Sequence, residues 1–151
     1  MDKFEQAIKL GDFETFNNLI EDVPEGALKR KELNKILLSL VHSIKYSSKI
    51  GEINDCVSNI LSAGAMIDAI DNDTGRTVLM IACEKGYIEI VDSLLKADAM
   101  VNSRDNKSKN ALFYAIMAKG ENTDIVQLLL SKEAELNYKS LDGLTALNLA
   151  T

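Results

Sequence analysis

Residues 77–91 read TVLMIACEKGYIEIV. An apolar run opens behind Thr77, stops at Gly86 and resumes almost at once, so the stretch divides into two short helices with a turn between them. A single long helix would carry its apolar stripe straight through. The same template of capping residue, large apolar residue two later and small residue three beyond recurs elsewhere. It opens at Asp2, Phe4, Ala7, at Asn34, Ile36, Ser39, at Asn110, Leu112, Ala115 and at Thr145, Leu147, Ala150. Each starter carries a side-chain oxygen that can accept from backbone N–H groups left unpaired in the first turn of a helix. The spacing of three sets the large and small residues on one face, and the small one admits a close neighbour.

A second amphipathic segment follows each complete copy. It contains Thr15, Phe16, Leu19, Ile20, then Cys56, Val57, Ile60, Leu61, then Ile90, Val91, Leu94, Leu95, then Ile125, Val126, Leu129, Leu130. Three of these segments run on into SAGAMID, KADAMVN and KEAELN, whose last residues Asp68, Asn102 and Asn137 lie 34 and then 35 residues apart. A period of that length marks a repeat protein, and two short helices cannot bury their apolar faces alone. Stacking of the copies must supply the core.

The stretches GRTVLMIACEKGYIEIVDSLLKADAMVN (75–102), KNALFYAIMAKGENTDIVQLLLSKEAELN (109–137) and DGLTALNLA (142–150) resemble the ankyrin repeat family. The resemblance implies an all-α solenoid of stacked antiparallel helix pairs joined by β-hairpin-like loops. It also implies a non-enzymatic scaffold that binds another protein through its concave helix surface and hairpin tips. The expected divisions of a single domain spanning 1–151 are an N-terminal capping helix pair (1–26), a repeat with an insertion near 41–52 (27–68), two further repeats (69–102 and 103–137) and an incomplete one (138–151). An array stopping inside its fifth copy exposes an apolar face, so the chain is expected to be a fragment or to have that end covered. The alternative function is the recognition region of a longer enzyme, channel or pathogen effector whose activity lies beyond Thr151.

Departures from the family pattern set further expectations. The proline favoured at the first helical position is replaced by Val78, Ala111 and Ala146, which lowers the stability expected of each repeat. Asp98 and Glu133 stand where Gly64 suits a left-handed helix end, and Ser108 replaces a turn glycine, so these ends are expected to fray. The insertion is expected to lengthen the first helix of its copy or the turn after it.

Composition narrows the function classes. The 151 residues carry 17 lysines and arginines against 23 acids, a net charge of −6 mixed along the chain, with no basic stripe for a phosphate backbone. The longest nearly unbroken apolar stretch, ILLSLV (36–41), falls far short of the roughly 18 residues of a membrane span. The charged N-terminus MDKFEQAIKLGD is unlike a secretory signal. Cys56 and Cys83 occupy helix-face positions without metal or redox spacing, which fits a reducing compartment, cytoplasmic or nuclear.

No catalytic, cofactor-binding or metal-ligating residues are expected. No cysteine or carboxylate stands at a recognisable catalytic spacing from His42 in the sequence. DNDTG (71–75) opens like a calcium loop, but the fifth, sixth and twelfth positions that need a carboxylate, a glycine and a glutamate hold Gly75, Arg76 and Ala82. The resemblance implies a protein or peptide ligand, and no nucleic acid, membrane insertion or small-molecule substrate is expected.

Two surfaces are candidates for that partner. The outward position of the first helix in copies two to five holds Leu38, Ile81, Tyr114 and Leu149, flanked by Met80 and Phe113. These either line one apolar stripe or pack against adjacent repeats. The hairpin tips offer Asn72, Asp73 and Arg76, then Arg104, Asn106, Lys107 and Lys109, then Tyr138, Lys139 and Asp142, the middle tip being basic enough to steer an acidic segment. Finally, LLSKEAELN (129–137) resembles the pattern that asparaginyl hydroxylases modify at its asparagine, here Asn137.

Overall fold

A computed structural model describes residues 2–43 and 47–150. The described residues form nine α-helices and a short 3-10 turn, with strand-like pairing confined to isolated bridges. The chain comprises two compact units, Met1–Ala69 and Ile70–Thr151.

The first unit holds α1 (Asp2–Leu10), α2 (Phe13–Glu21), α3 (Arg30–His42) and α4 (Ile50–Ser62), with the 3-10 turn at Ser47–Lys49 before α4. Helix α1 packs on α2 and α3, while α4 packs on α2 and α3. Phe4 meets the fully buried Phe16 edge-on at 5.5 Å, and Phe13, Ile36, Leu37, Leu40, Ile53, Val57 and Ile60 complete the core. Helix α2 starts two residues before Thr15 because Asp12 caps it, its carboxylate accepting from the Thr15 N–H at 3.0 Å and the Thr15 hydroxyl at 2.6 Å.

Copy two departs from the sequence reading. Asn34 does not cap α3, which begins one turn earlier, at Arg30, where the Glu32 carboxylate accepts from the Lys29 N–H at 2.9 Å. The Asn34 side chain accepts instead from the Met66 N–H at 2.8 Å, tying α3 to the loop after α4. Helix α3 ends at His42, as many residues after Asn34 as the end of α5 at Lys85 lies after Thr77, so the insertion does not extend that end. It is taken up by the following turn and by an extra first turn on α4, while residues 44–46 of the inserted stretch lie outside the described residues. Lys49 anchors the insertion, its Nζ donating to the Gly11 carbonyl at 3.0 Å and lying 5.7 Å from the Phe13 ring centroid.

The second unit holds α5 (Val78–Lys85), α6 (Ile88–Lys96), α7 (Ala111–Met117), α8 (Thr123–Ser131) and α9 (Ala146–Ala150). Each first helix stacks on the next, α5 on α7 and α7 on α9, and α6 lies on α8. The caps read from the sequence are made: Thr77 accepts from the Met80 N–H at 3.2 Å, Asn110 from Phe113 at 3.0 Å and Thr145 from Asn148 at 3.0 Å. Gly86 ends α5 with φ 77°, the left-handed conformation that divides TVLMIACEKGYIEIV into two helices.

The expected fraying of the later helix ends meets a different local structure. Asp98 and Glu133 adopt the left-handed conformation without glycine, each at φ 62°. Beyond them the chain still bonds back to its helix, Ala99 N–H to Leu94 at 3.0 Å and Ala134 N–H to Leu129 at 3.1 Å. Ser108 likewise turns at φ 58°.

Candidate partner-binding surface

The apolar stripe proposed on the first helices is largely absent. Helix α5 is apolar on every side, and Val78 through Cys83 are all buried, so Met80 and Ile81, both 0% exposed, offer no side chain to a partner. Phe113 is also buried, with the Lys109 ammonium 5.1 Å from its ring centroid. The outward assignment of these three is corrected: buried apolar residues occupy every side of α5, and Phe113 is buried on α7, which packs against both α5 and α9. Leu38, Tyr114 and Leu149 are half-buried, Leu38 in the first unit and the others in the second.

Tyr114 is held from two sides. Its hydroxyl donates to the Asp105 carboxylate, and the Arg76 guanidinium stacks 4.3 Å from its ring centroid. Burial, then the hydrogen bond to Asp105, pushes the phenol well above its ordinary pKa. Asp105 is itself buried and also accepts from the Lys107 and Lys109 N–H groups, both at 2.9 Å. Arg76 meanwhile pairs with Glu84 at 2.5 Å.

Two more cations are held between a ring and an acid, with rings and acids at other positions of the repeat. Arg104 lies 3.3 Å from the Tyr138 ring centroid and pairs with Glu135 at 2.7 Å, while Lys109 reaches Asp142 at 3.4 Å. Arg76 of the first tip and Arg104 and Lys109 of the middle, basic tip are thus committed to aromatic rings and acids of their own or the adjoining copy. The side chain of Lys107 stands exposed. Two of the balancing acids, Glu135 and Asp142, were missed because they lie far along the sequence, near one repeat period from Arg104 and Lys109, a separation that was the available signal.

The hairpin tips form a ladder. Asn106 donates its N–H to Thr74 at 3.0 Å and its side-chain amide to Asp73 at 3.2 Å, and the Leu141 N–H donates to Lys107 at 3.0 Å. The tips approach so closely that a Cβ on Gly75 would sit 2.4 Å from the Asn106 side chain. Along this ladder Asn72, Asp73, Asn106, Lys107, Lys139 and Asp142 are exposed. So is Leu141, at 73% the most exposed large apolar side chain among the described residues, and one the sequence reading passed over. Behind the tips Asn102 bridges to the next copy, donating to Glu133 at 3.1 Å and accepting from Glu135 at 2.9 Å; its counterpart Asn137 is exposed.

Among the described residues no cluster of three or more metal-binding side chains occurs, and no helix is long and apolar enough to cross a membrane. The family model for ankyrin repeats in three copies matches residues 4–105 and 44–140. An ankyrin repeat protein of Acanthamoeba polyphaga mimivirus is 35% identical over 100 residues, covering 62% of this chain and 13% of the relative. Inversin of Canis lupus familiaris is 34% identical over 115 residues, covering 76% of this chain and 10% of inversin. An ankyrin repeat and KH domain-containing protein of Caenorhabditis elegans is 32% identical over 123 residues, covering 80% of this chain and 5% of the relative. The chain therefore spans a small part of the length of these relatives.

Proposed function

Because this chain belongs to the ankyrin repeat family, we propose that it is a non-enzymatic scaffold whose second unit binds a partner protein through the ladder of hairpin tips. Ankyrin repeats are generally protein–protein interaction modules. The observation that carries the finer reading is the hydrogen-bonded register of the tips, which holds exposed Leu141 and Lys107 in fixed positions. Fixing them before the encounter lowers the ordering cost of binding, and an exposed apolar side chain beside a lysine offers an anchor with a steering charge. Tyr114 joins this surface through Asp105, which takes its hydroxyl and the Lys107 N–H. Free, buried Cys56 and Cys83 support a reducing compartment, cytoplasmic or nuclear.

The second reading, a recognition region within a longer protein, draws on the small share of each relative that is matched. It uses the same surface. Affinity capture with the wild-type chain and with Leu141→Glu/Lys107→Glu tests both. A partner retained by the wild type and lost by the double variant, with helicity unchanged, is the expected result. Equal capture by both, or turnover of a substrate by the purified chain, would overturn the reading.

A further inference from the structure

A groove of about 500 Å³ runs between α6 and α8, lined by Ile88, Glu89, Asp92, Asp124, Gln127 and Leu128. We infer that it docks a second ligand: a basic, leucine-bearing segment of a partner protein, with an apolar side chain between Ile88 and Leu128 and flanking lysine or arginine against the acids.

Stacking of the repeats does not account for the groove's two apolar lining residues. Ile88 and Leu128 occupy positions that the neighbouring copy fills with Thr123 and Ser93, so neither position needs an apolar side chain for the helix pairs to pack. Ile88 is nevertheless 40% exposed, which costs solvation unless something covers it.

The rim is acidic and contains no lysine or arginine. Glu89 and Asp124 sit at equivalent places in the first turns of α6 and α8, where helix dipoles favour negative charge and the two carboxylates can coexist near each other. Asp92 is balanced by Lys96 at 2.6 Å. The remaining charge complements a cation and disfavours both an anionic membrane and, at a net charge of −6, a second copy of the same face. This surface belongs to the second helices, so it is separate from the tips and fails or holds independently of them.

The test uses the full chain and a fluorescein-labelled peptide alternating lysine and leucine, followed by anisotropy and by amide shifts in NMR. The expected result is saturable binding with shifts at Ile88, Glu89, Asp124 and Leu128, weakened at least tenfold by Glu89→Lys/Asp124→Lys and by Leu128→Asp. A charge-matched control, Glu14→Lys/Glu21→Lys, is expected to keep the affinity within twofold. The inference is overturned if the control weakens binding equally, if the same peptide with glutamate for lysine binds as well, or if the shifts fall outside the groove.

Discussion

Single residues carry two kinds of stress that the sequence revealed only in part. Asp98 and Glu133 were recognisable as standing where glycine is preferred, but their left-handed conformation was not, because hydrogen bonds formed by the following residues hold it in place. A non-glycine residue there costs about 1–2 kcal/mol, less for aspartate, whose short polar side chain tolerates the conformation. Glu133→Gly is therefore expected to stabilise the chain by about 1 kcal/mol once glycine's own entropy is counted, with Asp98→Gly gaining less; a lower urea midpoint for Glu133→Gly would contradict this. Burial pushes the Cys56 thiol up to about 12 and raises Cys83 as well. The folded state thus holds these protons more tightly than the unfolded chain, so the contribution is intact below about pH 9 and is lost as pH climbs toward the folded values. Melting temperature should fall above that pH, and Cys83→Ala should flatten the fall; an unchanged slope in the variant would remove Cys83 from the account.

At the scale of the helices, equivalent positions behave differently according to what covers them. Leu79 and Leu112 are 1% and 0% exposed, whereas Leu147 on α9 is 49% exposed. Leu79→Ala is accordingly expected to cost about 2–5 kcal/mol by leaving a cavity, and Leu147→Ala less than about 1 kcal/mol, measured by denaturant unfolding. Similar losses at both would mean that α9 is buried in solution. Tyr114→Phe removes the donor to Asp105 and should cost about 1–3 kcal/mol, with Asp105→Asn less damaging because the amide still accepts. These helices were legible because capping and the small-residue spacing are local signals, and Thr77, Asn110 and Thr145 all cap as read. Asn34 misled because Glu32, bonded back to the Lys29 N–H, supports a start one turn earlier, and the Asn34 oxygen found a partner in the loop after α4.

Across the whole chain, the repeat period marked a repeat protein, and the motifs at 75–102, 109–137 and 142–150 carried the resemblance to the family and, with it, the all-α class. The period says which residues are equivalent, but not which face of each helix the neighbours cover. That is why the sequence left Met80, Ile81 and Phe113 open between an apolar stripe and packing, whereas they are buried, and why the cations at the tips looked available while Arg76, Arg104 and Lys109 are balanced by acids and rings. What remains at the surface is a ladder of loops whose rigidity depends on backbone hydrogen bonds between copies. Exchange of the Asn106 and Leu141 amides measures that rigidity directly. Both should be protected although they lie at exposed turns, because they donate to Thr74 and Lys107, and Gly75→Ala should abolish the protection at Asn106. Exchange of both amides in the wild-type chain at the rate of an unstructured peptide would contradict a preformed binding surface.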